Sequence, residues 1–229
     1  MSTAKHIISF LFKLQSPLKL PIDVEVMNPF TDTDTKRVCN LFYHKYYNDQ
    51  QPRTFIIGIN PGRFGGGVTG IPFTDPIRLR SRLNIENGWP LKQELSSVFI
   101  YDLIEAFGGV DAFYQQFYFT SFSPLGFTRH GKNLNYYDDK ELIKTIKPFA
   151  LDCMHQQLTW AKKSVAFCLG EGANYKFVSK FNEVHGFFEK IIPLAHPRFV
   201  MQYKLKSKEA YIGRYLEALI NKSKVKSQK

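Results

Sequence analysis

Residues Arg53–Ile59 read RTFIIGI, and this run limits the architecture more than any other segment. Beyond Thr54 its side chains are apolar or absent, with no alternation of polar and apolar positions, so the strand has no face to offer to water. A strand buried on both faces belongs in a parallel sheet covered by helices. The run opens directly into NPGRFGGGVTG (60–70), a polar, glycine-rich turn. Open α/β sheets carry their sites in such turns, outside the carboxyl ends of the strands.

Three more short apolar runs are predicted strands: Phe117–Phe122 (FYFTSF), Ser164–Leu169 (SVAFCL) and Lys190–Leu194 (KIIPL). Helical spacing is found at Asp34–Tyr47, and at Tyr101–Phe107 and Val110–Phe117, which Gly108-Gly109 separate. It recurs from Tyr175 and over Ser207–Ile220. Asp75-Pro76 has the cap-then-proline order of a helix start, so Asp75 is read as a cap and not as a catalytic acid. A long amphipathic helix is predicted over Lys140–Lys163, kinked or divided by Pro148. Strands alternating with helices predict a three-layer α/β/α sandwich with a central four-stranded, mostly parallel sheet. At 229 residues the chain is expected to form one domain over 1–221. Within it, 1–33, punctuated by Pro17, Pro21 and Pro29, is read as an irregular arm or a short helix. The lysine-rich end, 222–229, is expected to be a disordered basic tail.

Composition narrows the function classes. The formal charge is +11, and only four of the 31 basic residues lie in the final KSKVKSQK, so the body itself is basic and suits a polyanion. The aromatic share, 15%, supplies core and also surfaces on which bases stack. Cys39, Cys153 and Cys168 are far apart, which argues against a disulfide framework and against a cysteine metal site; no metal is expected. Ile7–Leu14 is short, contains Lys13 and lacks a cleavage pattern, and no run is long enough to span a bilayer. A cytoplasmic protein is expected.

Three of the predicted strands end in unusual residues: Gly58-Ile59-Asn60-Pro61-Gly62, Thr120-Ser121-Phe122-Ser123-Pro124 and Ala195-His196-Pro197-Arg198. In a parallel sheet these ends share one edge, which brings an amide, a hydroxyl and an imidazole to one crevice. The glycine-rich loop fits neither GxGxxG nor a P-loop. By local pattern alone its glycines serve either tight turns or close approach to a ligand.

Gly58–Phe73, GINPGRFGGGVTGIPF, resembles the first motif of the uracil-DNA glycosylase superfamily in the form of its single-strand-selective (SMUG) branch. His196-Pro197-Arg198-Phe199-Val200-Met201 resembles the second motif, a His-Pro pair leading into a DNA-inserting loop, and Gly131-Lys132-Asn133-Leu134 matches a further segment of the branch. The resemblance covers roughly 50–220. Two departures stand out. Ser121 takes the place of an Asn that reads the uracil edge, and the branch's His-Pro-Ser-Pro-Arg is compressed to His-Pro-Arg. Both suggest a divergent, bacterial-type subfamily.

The resemblance implies a monofunctional glycosylase that flips uracil out of DNA and hydrolyses its N-glycosidic bond, without a cofactor. Other deaminated or 5-substituted bases are further candidates. Asn60 would hold the attacking water and His196 would donate to the departing base. Gly58, Ile59, Gly62, Phe64, Phe73 and Ser121 would form the base pocket, with Phe73 stacking under the base. Arg198, Phe199 and Met201 are the wedge candidates, and Lys132, Lys204 and Lys206 are placed to meet phosphates. The expected partner is single- or double-stranded DNA, met by a monomer working on the nucleoid, with no membrane. Two alternatives stay open: a nucleoside or nucleotide hydrolase using the glycine-rich loop, and a non-catalytic nucleic-acid-binding module of the same fold.

Overall fold

The computed structural model describes residues 1–17 and 19–223. In chain order the elements are α1 (Thr3–Phe12), β1 (Val24–Met27), α2 (Thr33–Tyr46), β2 (Arg53–Gly58), α3 (Gly66–Thr69), α4 (Pro76–Leu83), α5 (Leu95–Phe107), α6 (Gly109–Tyr114), β3 (Phe117–Ser121), β4 (Gly126–Arg129) and β5 (Lys132–Leu134). Then follow α7 (Lys140–Gln157), β6 (Ala161–Leu169), α8 (Ala173–His185), β7 (Ile191–Leu194), α9 (Pro197–Tyr203) and α10 (Lys208–Ser223).

The central sheet has the order β3-β2-β6-β7 and every pairing in it is parallel. RTFIIGI lies in the interior of that sheet, with Phe55, Ile56 and Ile57 buried, as a strand without a polar face must. Register aligns the strand ends: Gly58 pairs with Ser121 on one side of β2, and Leu169 pairs with Leu194 across β6 and β7. Helices cover both faces, and buried residues from Ala4 to Leu219 form one continuous apolar cluster.

Of the irregular arm or short helix expected over 1–33, the structure shows the helix at Thr3–Phe12 and an ordered strand after it. α1 buries Ala4, Ile7, Phe10 and Leu11 at helical spacing, and the backbone carbonyls of Asp49 and Tyr47 accept from its first N–H groups at 2.7 and 2.8 Å. The prolines that suggested irregularity all follow this helix. β1 is equally ordered and pairs with β4 in a separate antiparallel sheet, β1-β4-β5, which the sequence reading missed. The turn of its hairpin is His130-Gly131, both at positive φ (49° and 68°), the backbone that a two-residue hairpin turn requires.

Two boundaries also move. α7 ends at Gln157 and gives way to a 3-10 turn, and β6 starts at Ala161, so Lys162 and Lys163 lie in a strand. The register slips between Arg53↔Ala161 and Phe55↔Ala166, an irregularity that lets both lysines reach solvent. Their polarity had been read as the outer face of a helix. Pro148 sits inside α7, which runs on past it. α5 begins six residues before the expected Tyr101. At the other end α10 runs to Ser223, and the rest of the expected basic tail, 224–229, lies outside the described residues.

Candidate active site

The carboxyl ends of the parallel strands open onto a crevice of about 650 Å³, lined among others by Asn60, Phe73, Glu94, Ser121, His196 and Arg198. The three strand ends singled out by sequence thus converge. Ile59 and Gly62 also line it. Gly58 contributes from behind: a Cβ there would meet Phe73 Cζ at 3.0 Å and Ser121 Oγ at 3.3 Å, so its bare backbone lets both side chains lie against the strand.

Asn60 is held from both ends of its amide. Nδ2 donates to the Leu134 carbonyl at 3.2 Å, and Oδ1 accepts from the Tyr136 N–H at 3.0 Å. A carbonyl only accepts and an N–H only donates, so the pair fixes which end is oxygen. One N–H and one lone pair of the amide remain for a ligand. The anchor is itself braced. Tyr136 donates its hydroxyl to Asn174 Oδ1 at 2.8 Å, and Asn174 Nδ2 donates to the Leu169 carbonyl at the end of β6 at 2.9 Å. The small β1-β4-β5 sheet therefore aims Asn60 by presenting the end of β5.

His196 follows β7 and caps α9. Its Nδ1 accepts from the Arg198 N–H at 3.2 Å, which leaves the proton of the neutral ring on Nε2. Burial, and then the Arg198 charge, pushes its pKa down to about 4. It is therefore a neutral N–H donor at physiological pH. The preceding Ala195 carbonyl accepts from the Tyr215 hydroxyl of α10, which secures the approach to the ring.

Phe73 has φ of 56°, a left-handed backbone that a bulky residue rarely adopts. That turn directs the ring back over β2 and β3, 5.2 Å from Phe119 and 6.4 Å from the His196 ring between centroids. Strain of this kind persists where the surroundings over-determine it. Here Thr69 does so: its hydroxyl lies 2.7 Å from the Thr74 carbonyl and binds the loop across Phe73. Ser121 is buried, and its hydroxyl has no hydrogen-bond partner among the described residues.

Phe64 does not line the crevice. Its ring is in contact with the Arg63 guanidinium and the Lys92 ammonium, at 4.7 and 5.4 Å from the centroid. The His-Pro segment forms a helix, α9, where an inserting loop was expected, because Pro197 at its first position and the His196 cap favour helix entry. Arg198 and Phe199 are exposed on α9 at the crevice rim, but Met201 packs against the core. Tyr203, 66% exposed and 5.7 Å from Phe199, presents the second outward aromatic. Lys132, Lys204 and Lys206 are exposed.

Asp75 is the helix cap expected of it, accepting from the Arg78 N–H at 2.9 Å. Its other oxygen accepts from the Glu94 N–H at 2.9 Å. Glu94 is the residue that sequence reading missed. Its carboxyl group faces the crevice, and burial, with the Asp75 charge adding to it, pushes its pKa up to about 7 against the opposing pull of Arg198. Glu94 lies in QELSS, which carries no recognisable pattern. No group of three or more His, Cys, Asp or Glu side chains suited to a metal occurs among the described residues. The three cysteines are buried thiols, and burial pushes Cys153 and Cys168 up to about 12. No described helix is long and apolar enough to cross a membrane.

Comparison with known proteins agrees with this geometry. Residues 44–220 match the family model described as the uracil DNA glycosylase superfamily. Among solved structures the chain is similar to wild-type SMUG2 of Pedobacter heparinus, at 47% identity and a TM-score of 0.94, over 97% of this chain and 99% of that one. No curated protein sequence matches significantly.

Proposed function

The chain belongs to the uracil-DNA glycosylase superfamily as a SMUG-like DNA glycosylase that hydrolyses N-glycosidic bonds, and on that premise we propose that it flips uracil out of DNA into the crevice and excises it as a monofunctional enzyme. The flipped base stacks on Phe73. Extrusion costs a few kcal/mol, least for mispaired or single-stranded bases. As the C1′–N1 bond breaks, its electron pair stays on the base and gathers on the carbonyl oxygen beside N1. The Nε2–H of His196 stabilises that charge without itself titrating. A preorganised donor of this kind is worth about 3–4 kcal/mol. The free lone pair of Asn60 holds a water on the far side of the sugar. The water oxygen bonds to C1′, and its proton ends on the departed base, so the products are a neutral base and an abasic sugar.

The observation that supports this reading best is the pairing of a doubly anchored Asn60 with a neutral, donor-ready His196 on one crevice. Neither group serves as a strong base, so departure of the base, and not activation of water, is the step that these residues favour. Phe199 and Tyr203 on α9 are the candidates for filling the hole the base leaves. Bases larger than uracil are candidates too, because the short Ser121 leaves room.

The test uses end-labelled single- and double-stranded oligonucleotides with one uracil, incubated without metal and then treated with alkali to cut abasic sites. Wild type should cleave at the uracil, and Asn60→Ala and His196→Ala should each lose about 10²–10³ in single-turnover rate. A folded wild type that leaves uracil untouched would remove uracil from the reading and direct the search to other deaminated bases.

A further inference from the structure

Glu94 is an ionisable side chain of the crevice that the proposed chemistry leaves unused, and the glycine loop is shaped around it. A Cβ on Gly62 would lie 2.7 Å from Glu94 Oε1, and one on Gly65 would overlap Oε2. The carboxyl group therefore occupies the space a side chain on the loop would fill, in the crevice that Phe73 also lines. Its backbone is fixed by the Asp75 bond at the start of α5. Its side chain makes no capping bond, and no hydrogen bond or ion pair among the described residues.

Resting on the glycosylase reading above, we propose that Glu94 is a specificity-determining residue: its carboxyl group meets the edge of the flipped base and favours an oxo group there, and does so only while it holds a proton. Deamination replaces an exocyclic amino group by an oxo group. An ionised carboxylate only accepts hydrogen bonds, so it would attract the amino group of an undamaged base and repel the oxo group of a deaminated one. A protonated carboxyl group donates its O–H to the oxo oxygen. It also spares the departing base, which leaves as an anion, a second negative charge in a dry pocket. Ser121, too short to pair with two atoms of a base edge, leaves this task open.

The charged neighbours of Glu94 act in opposite directions. Asp75, at the cap of α4, opposes ionisation of Glu94, while Arg198, on α9, promotes it. The Asp75 charge is partly taken up by Arg78 at 3.4 Å. His196, at the end of β7, is neutral throughout the relevant range. On the glycine loop the Arg63 guanidinium is turned away, donating to the Gly131 carbonyl. A base stacked on Phe73 would exclude water from Glu94 and hold its proton more firmly.

Single-turnover excision of uracil from a single-stranded oligonucleotide, followed from pH 5.5 to 8.5, tests this in wild type, Glu94→Gln and Glu94→Ala, with thermal melts to confirm folding. The wild-type rate should be level at low pH and fall by up to about tenfold per unit above a midpoint at or above 7. Glu94→Gln keeps an N–H donor and cannot ionise, so its rate should be level and should overtake wild type at pH 8.5. Glu94→Ala should be level and, at pH 6, several-fold slower than wild type. An unchanged fall in Glu94→Gln, or a Glu94→Ala variant equal to wild type throughout, overturns the role of Glu94 alone. So does a wild-type rate that rises through pH 7 and loses that rise in Glu94→Gln, because Glu94 would then be a base. A wild type that excises no uracil at any pH overturns the uracil reading, and this role with it.

Discussion

At the residue scale the site depends on polar groups that their partners fix in place without using up their hydrogen-bonding capacity. Asn60 is the clearest instance, because both of its anchors are backbone groups that side-chain substitutions elsewhere cannot remove. An Asp at this position would be isosteric but would set a carboxylate oxygen against the Leu134 carbonyl, two acceptors facing one another. Asn60→Asp is therefore expected to cost about 1–3 kcal/mol, which is a drop of several degrees in melting temperature. It should also lose excision activity together with its fixed orientation. A variant that melts like wild type and excises faster would show that the Leu134 bond has no role in aiming the water. Glu94 makes a second prediction, independent of activity. Its pKa is raised on folding from 4.5 to about 7, so the folded chain binds the proton more tightly than the unfolded chain. The contribution of Glu94 to stability is then fully present below pH 4.5 and is lost as pH rises to about 7. Glu94→Gln should raise the melting temperature relative to wild type at pH 8 and leave it unchanged or lower at pH 4. Equal shifts at the two pH values would mean that folding leaves the pKa of Glu94 unchanged.

At the scale of elements, the small antiparallel sheet acts as the mount of the loop that carries Asn60. β4 runs directly beneath Pro61: a Cβ on Gly126 would meet the Pro61 carbonyl oxygen at 2.5 Å and Met27 Cε at 2.5 Å. The methionine can swing aside, but the carbonyl belongs to the backbone next to Asn60. Gly126→Ala should therefore cost about 1–3 kcal/mol of stability and lower the excision rate by tenfold or more, with DNA affinity little changed. Loss of stability with full activity would separate the hairpin from the aim of Asn60. This sheet also marks the limit of what sequence could tell. The parallel sheet was legible because RTFIIGI, FYFTSF, SVAFCL and KIIPL are apolar runs with their own punctuation, and three of the site's strand ends were legible with them. β1, β4 and β5 were not, because three- and four-residue strands with mixed polarity carry no periodic signal. α9 was read as a loop because its seven residues show too little periodicity to outweigh the motif's expected shape. Met201 was consequently read as a wedge candidate, although its position on the helix turns it toward the core. Glu94 was missed for another reason: its significance lies in its approach to Gly62 and Gly65, some thirty residues away in sequence, and only the fold reveals that.

At the scale of the whole molecule, the question is whether the excess of 31 basic over 20 acidic residues is a general feature of the surface or is directed at the crevice. Many cations away from the site are already engaged, as Arg129 is with Asp23 and Asp139, and Lys208 with Asp102. Arg198, Lys132, Lys204 and Lys206 hold no ion pair among the described residues. Arg198 lines the crevice itself, and Lys132 stands at the hairpin beside its lining residue Asn133. A phosphate backbone threading past the flipped base would meet these groups first. Each phosphate contact releases condensed counterions, so the logarithm of affinity should fall with the logarithm of salt by about 0.7 per contact for single strands and 0.9 for duplex. The double variant Arg198→Ala/Lys132→Ala should lose about two contacts' worth of that slope and bind all sequences proportionally more weakly. Lys162→Ala is the control, because Lys162 lies at the opening of β6, the opposite end of the sheet from the crevice, and is exposed. Its slope should equal that of wild type. If Lys162→Ala flattened the salt dependence as much as the loss of Arg198 or Lys132 does, DNA would be held by the overall charge, and the orientation implied by the crevice would be wrong. If only the crevice variants flatten it, the basic surface is an oriented track, and Phe199 and Tyr203 stand where the duplex has to open.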